Sequence, residues 1–288
     1  LWDILGKHLN TPVWQLLGGS TRQHVTCFCD LAAGEGATWA DRASDLVTNG
    51  WATIRCSPGM PGESDAPDNS LYEPWESMQW TAARLQEIRE QIGPDVRLAV
   101  DFHHRLNVAE AAEFCRMIDD VGLMFLEEPI RAESPDAYAA LRAMCSMPFA
   151  IGEEFSGIYV FAPFIERGLC NYVRLDLCNV GGFTSARKVA AMAEAHYIQM
   201  APHDGSLGPV GEIASIHLCA SIPNFLIWEH RTGDVPLRYE VMQPQPEVFD
   251  SHIIVPNLPG LGVDLIDEVM LANPGDFTPG GHATNKNY

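Results

Sequence analysis

Six ionisable residues fall in step along this chain. Asp101, Glu127, Glu153, Asp176, His203 and Glu229 follow one another at gaps of 26, 26, 23, 27 and 26 residues, each at the end of a short apolar run. Acidic residues are common enough for any one of them to be chance, but six in phase call for a repeating unit. Asp101, Glu127 and Glu153 would repel one another unless a cation lay between them. They offer only oxygen, which selects a hard divalent ion, a single Mg²⁺, over the nitrogen- and sulfur-loving zinc. The plainer alternative, solvated loop acids or helix N-caps, leaves the phase unexplained. Glu128 and Glu154 are the adjacent candidates, and strand alternation admits only one residue of each pair to a given face.

The stretch DFHHR (101–105) adds two imidazoles to the first carboxylate. Alternation puts His103 on the face of Asp101, looking into the metal site, and turns His104 away as a structural or loop histidine. Asp176 and His203 close consecutive apolar runs. A carboxylate behind an imidazole fixes its tautomer and raises its basicity, which makes a proton acceptor of His203.

These residues need elements that carry them to one place. Apolar or β-branched runs predict strands near 24–29, 51–56, 97–102, 123–127, 148–152, 172–177, 197–201 and 225–229. Helical patterns lie between them, as over 74–92, 107–120, 134–145, 183–195 and 210–220. Strand–helix alternation predicts a parallel sheet covered by helices. Eight strands at this spacing predict a (β/α)8-type barrel, whose unit takes about 30 residues and whose chemistry sits at the C-terminal ends of the strands. The expected organisation is an entry helix over 1–23, broken at Thr11-Pro12 and closed by Gly18-Gly19, then the catalytic barrel over 24–244. Residues 245–288, rich in Pro and Gly, are expected to form an extended C-terminal arm of the same domain.

Composition sets limits on partners. The 288 residues are 47% hydrophobic, as in an ordinary globular chain. The formal net charge of −20 opposes binding to nucleic acid or an anionic membrane, and an anionic substrate needs a local cation to receive it. The eight cysteines are scattered without a CxxC pair, which reads as reduced thiols in a cytoplasmic enzyme. There is neither an 18-residue apolar run nor a secretory signal. The expected partner is a small molecule, and the expected quaternary state is a homo-oligomer.

The strand-end segments DFHHR, FLEEP, IGEE, RLDLCNVGG, APHDGSLGP and PGLGVD, with the opening LWDILGKHLNTPVWQLLGG, resemble the mandelate racemase and muconate-lactonizing branch of the enolase superfamily across most of the chain. The resemblance implies the (β/α)7β form of the barrel. The histidine two positions after the first metal ligand is similar to that of sugar-acid dehydratases of the galactonate and mannonate types. It implies Mg²⁺ on Asp101, Glu127 and Glu153, and abstraction of the C2 proton of an aldonate by His203 paired with Asp176. His103 would protonate the departing C3 hydroxyl, Glu229 would hydrogen-bond the substrate carboxylate or enediolate, and a 2-keto-3-deoxy acid would result. Galactonate, gluconate and mannonate all remain open as substrate.

Three features depart from the pattern. Racemases of the branch carry Lys-x-Lys at the end of the second strand, where this chain has IRCS with Arg55 and Ser57. IRCSPGMPGE resembles the mannonate type, in which an Arg–Tyr pair binds substrate, so Arg55 is a candidate with Tyr72 as partner; that type, however, lacks the equivalent of Asp176. The branch's N-terminal capping domain is expected to be absent from this chain. The rival readings are a racemase, epimerase or cycloisomerase of the same branch, and a non-catalytic metal-binding or regulatory protein. A zinc hydrolase built on His103, His104 and His203 is disfavoured by the oxygen-only ligands.

Overall fold

The computed structural model describes residues 1–31, 37–58, 73–205, 207–231 and 236–274. Eight parallel strands run β1 (His24–Asp30), β2 (Thr53–Cys56), β3 (Arg97–Asp101), β4 (Phe125–Glu127), β5 (Phe149–Ile151), β6 (Tyr172–Val173), β7 (Gln199–Met200) and β8 (Trp228–His230). They pair in chain order from β1 to β7, and β8 pairs β1. A bridge between Met200 and Phe225, just before β8, closes the ring.

Helices return the chain from each strand to the next. After α1 (Trp2–Leu9) and α2 (Val13–Leu16) come α3 (Trp39–Thr48), α4 (Pro74–Ile92), α5 (Val108–Met117), α6 (Pro135–Arg142), α7 (Ile158–Glu166), α8 (Phe183–Ala195) and α9 (Pro209–Ser221). Their starts are locally encoded. Thr38 and Asn107 form capping boxes with Asp41 and Glu110, and proline occupies the first turn of α4, α6 and α9, where its missing N–H costs nothing. Among the described residues β8 is followed by two short helices, α10 (Leu237–Glu240) and α11 (Asp267–Ala272), and by no further strand of the ring. Seven βα units and a final strand give the (β/α)7β barrel.

Two cores result. The larger lies between strands and helices. The smaller fills the barrel with Phe28, Ala99, Phe125, Ala150, Ala201 and Ile227. Because side chains alternate along a strand, the residues two positions beyond Ala99, Phe125, Ala201 and Ile227 share this inner face one layer higher: Asp101, Glu127, His203 and Glu229. The strands are shorter than the apolar runs. Past Val173 the β6–β7 ladder persists only as the Asp176–His203 bridge, where the backbone leaves the sheet to form the site.

The tail folds back on the barrel. Its strands are β9 (Met242–Gln243), β10 (Val248–Phe249), β11 (His252–Ile254) and β12 (Asp264–Leu265); β11 pairs antiparallel with β1. The entry segment is tied to the same tail, since the Val13 N–H donates to Gly260 O (2.8 Å) and the Trp14 indole N–H to Pro256 O (2.9 Å). Buried His217 of α9 joins both, accepting from the Trp14 N–H at Nδ1 (3.1 Å) and donating from Nε2 to Leu261 O (3.0 Å). All eight cysteines are free thiols. Among the described residues no helix is long and apolar enough to cross a membrane.

Candidate active site

Two buried arginines stand on the floor of the barrel mouth. The guanidiniums of Arg55 (β2) and Arg174 (just past β6) lie 5.2 and 5.3 Å above the ring of Phe28. Arg55 donates to Asp30 (2.7 Å), Glu127 (2.9 Å) and Glu229 (2.6 Å). Arg174 donates through Nε to Glu127 (2.6 Å), through Nη2 to Glu229, and through Nη1 to the carbonyls of Ala201 and Pro202. Two guanidiniums and two carboxylates thus close a ring in which every charge has partners, the condition for burying charge at all. Arg174 was missed by reading strand ends alone. Its signal is parity: in YVRLDL it stands two positions before Asp176, on the same face, as a lone cation in an apolar run.

The carboxylate cluster sits on this floor. Ligand atoms of Asp101, Glu127 and Glu153 lie within 4.8 Å of one another, all three buried. Burial raises the pKa of Asp101, and the charge of Glu153 adds to it against Arg55. Burial also pushes Glu127 up to about 8, despite Arg174 and Arg55. Glu153 goes the other way: burial would raise it, but the His103 hydrogen bond and the charge of His203 hold it below the usual carboxylate range. Crowded, desolvated carboxylates with a convergent oxygen set fit a hard divalent cation. Glu127 can still ligate, because each carboxylate oxygen has a second lone pair beyond the one its arginine uses.

Of each adjacent pair one member faces inward. Glu128, at φ 34°, turns into the wall, where the Tyr138 hydroxyl and Gly152 N–H donate to it; Glu154 is exposed at the rim. The two histidines behave differently from strand alternation. β3 ends at Asp101, and His103 and His104 both adopt left-handed backbone (φ 48° and 64°), so a turn rather than a pleat aims them. His103 does reach the site, with Nδ1 at 3.2 Å from Glu153 and 4.0 Å from Asp101. His104 is no outward bystander: it lies 3.5 Å from Glu128 and 3.6 Å from Glu154, backing the cluster.

Asp176 and His203 meet as expected. The Nδ1–H of His203 donates to Asp176 Oδ2 (3.2 Å), while the N–H groups of Cys178 and Asn179 fix the other carboxylate oxygen (both 2.8 Å). His203 Nε2 faces the cluster, 3.7 Å from Glu153 and 3.9 Å from Glu229. Burial alone would lower the pKa of His203; Glu229, Asp176 and Glu153 outweigh it and raise it. His103 is pushed up to about 9, chiefly by its hydrogen bond to Glu153. Glu229 is held well below the carboxylate range; burial opposes this, and the two arginines overcome it.

A cavity of about 670 Å³ opens over these groups, lined by Arg55, Asp101, His103, Glu153, His203 and Glu229, with Arg105 and Arg231 among the other wall residues. Tyr72, the partner suggested for Arg55, lies outside the described residues, as does most of the segment after Ser57. The site therefore combines an oxygen-only cation cradle, a carboxylate-backed imidazole and a second imidazole across from it, at the C-terminal mouth of a (β/α)7β barrel.

That combination defines an enolase-type barrel, and the comparisons agree. The chain matches the "Enolase C-terminal domain-like" family over residues 38–269 and belongs to that family. It is 31% identical over 291 residues to a D-galactonate dehydratase family member of Streptomyces bingchenggensis, covering 94% of this chain and 70% of that protein. It is also 31% identical over 296 residues to a D-mannonate dehydratase of Caulobacter vibrioides, covering 95% and 72%. Among solved structures it resembles an enolase from Pantoea ananatis with bound D-gluconate and magnesium, at TM-score 0.87 and 27% identity, covering 96% of this chain and 72% of that one.

Proposed function

We propose that this chain carries the catalytic barrel of a Mg²⁺-dependent sugar-acid dehydratase, a hydro-lyase acting on an aldonate such as galactonate, gluconate or mannonate. The observation that carries the reading is the pair of imidazoles on either side of Glu153, 3.2 and 3.7 Å from its two oxygens. His203 has its other ring nitrogen hydrogen-bonded to the buried Asp176, whereas His103 turns its Nδ1 to Glu153 itself, the asymmetry a reaction needs when it removes a proton at one carbon and a hydroxide at the next.

Asp101, Glu127 and Glu153 would hold Mg²⁺, which when bound supplies positive charge beside the substrate carboxylate as the adjacent C–H bond breaks. His203 takes the C2 proton on Nε2; its Nδ1–H stays on Asp176, which stabilises the imidazolium that forms. The electrons of the broken C–H bond form the C2=C3 double bond as the C3–O bond breaks. His103 gives a proton to the departing hydroxyl, so water leaves. Tautomerisation of the resulting enol yields the 2-keto-3-deoxy acid. Glu229 and Arg55 form the base of the cavity on the substrate side, with Arg174 fixing Glu229 from behind. The supporting resemblance is to proteins named as galactonate and mannonate dehydratases.

A racemase or epimerase is the second reading, because two imidazoles flanking one cluster could also serve as opposed bases. A panel of acid sugars incubated with the protein and Mg²⁺ in D₂O separates the two. The dehydratase reading expects a 2-keto-3-deoxy product from at least one aldonate. Deuterium at C2 with inversion and no 2-keto product would replace it with the second reading.

A further inference from the structure

The loop that carries His203 approaches the imidazole unusually closely. The N–H of Gly205 donates toward His203 at 3.0 Å from Nε2 and 3.3 Å from Nδ1. The in-plane lone-pair directions of the two ring nitrogens diverge, so one N–H this near to both lies over the face of the ring. A Cβ at residue 205 would stand 2.2 Å from Nε2 and 2.7 Å from Cε1, far inside any real contact. The φ of Gly205 is outside the left-handed region. Glycine is therefore required here for space and not for conformational freedom.

The peptide is also held in place. Arg231, just past β8, donates from Nη1 to Gly205 O (2.6 Å). Arg238 of α10 donates to Leu207 O (2.6 Å) and to Asp204 (3.2 Å), and the Asp204 N–H donates to Glu229 (3.0 Å). The ring is thus confined on one face by Gly205, at Nδ1 by Asp176, and beyond Nε2 by Glu153 and Glu229.

We propose that Gly205 is a positioning residue for His203: its bare peptide, clasped by Arg231, sets the plane of the imidazole and so the line along which Nε2 meets the substrate. The proposal rests on the reading of His203 as the proton acceptor. A methyl at residue 205 forces the ring to retreat by about an ångström, and a misplacement of that size can cost on the order of 10²-fold in rate.

Two measurements test it. In the holoenzyme, Gly205→Ala is expected to lower kcat on the order of 10²-fold with KM changed far less; an unchanged kcat overturns the proposal. Independently of any substrate, a double-mutant cycle on thermal unfolding compares Gly205→Ala in the parent and in His203→Ala. The substitution is expected to lower Tm by about 2–4 °C or more in the parent and to be nearly silent once the imidazole is gone. An equal loss in both backgrounds means that the glycine serves its own backbone, and overturns the proposal. If Gly205→Ala fails to fold in the parent, folding of the double variant supports the proposal and its failure overturns it. The thermal cycle stands even if no sugar acid is turned over, so failure of the dehydratase reading and failure of this one are distinguishable.

Discussion

Replacing Arg174 by methionine removes the keystone of the site floor. The side chain is fully buried, and it serves Glu127, Glu229 and two backbone carbonyls at once. Methionine fills comparable volume, so the loss is electrostatic: two buried carboxylates lose a partner, and the carbonyls of Ala201 and Pro202 lose a donor. Breaking a buried pair from one side costs about 3–5 kcal/mol. Arg55 still holds the other oxygen of each glutamate, which favours the lower end. At about 2–4 °C per kcal/mol for a domain of this order of size, Arg174→Met should lower Tm by roughly 10 °C. Arg116→Met is the control, because the Arg116–Glu113 pair is exposed on α5 and worth about 0–1 kcal/mol. Differential scanning calorimetry of the three proteins decides the matter. If Arg174→Met unfolds within about 2 °C of the parent, the ring of two arginines and two glutamates does not hold the site, and the reasoning fails.

Two further perturbations follow from the same geometry. Mg²⁺ should raise Tm, by the equivalent of about 2.7 kcal/mol at a hundredfold excess over Kd, and Asp101→Asn or Glu153→Gln should abolish that rise; a rise that survives both substitutions places the ion elsewhere. His217 is buried and its pKa is lowered by desolvation to about 4, below its ordinary 6.5. Between those values the unfolded chain takes up a proton that the folded one refuses. Stability is therefore full above pH 6.5 and declines as pH falls toward 4, by about 3 kcal/mol at 1.36 kcal/mol per unit. His217→Gln should flatten urea-unfolding curves across that window, and an undiminished slope would refute the assignment.

Much of the site was legible because a barrel repeats. One ionisable residue per strand end, at nearly constant spacing, identified Asp101, Glu127, Glu153, Asp176, His203 and Glu229, and the structure brings all six to one mouth. Arg174 escaped because its clue lay one layer deeper, in the two-residue parity that stacks it below Asp176. His103 reaches the site as expected, though not by a pleat, and His104 escaped in a different way. Their orientation depends on consecutive left-handed residues, which alternation cannot anticipate in histidines. The tail was unreadable for a third reason: strands of two or three residues, such as Val248–Phe249 and His252–Ile254, are too short to show a period, and the pairing of the second with β1 and of the first with the second is set by tertiary contact alone. The space constraint at Gly205 is likewise invisible in APHDGSLGP, since nothing in the string says which of its glycines lies against a ring.

The division of labour between the two imidazoles is the centre of this account, and partial reactions in D₂O test it most directly. With an aldonate that the parent dehydrates, His103→Asn should still exchange the C2 proton for deuterium while releasing little 2-keto product. His203→Asn should do neither. Full exchange by His203→Asn, or undiminished product from His103→Asn, would contradict the roles assigned here.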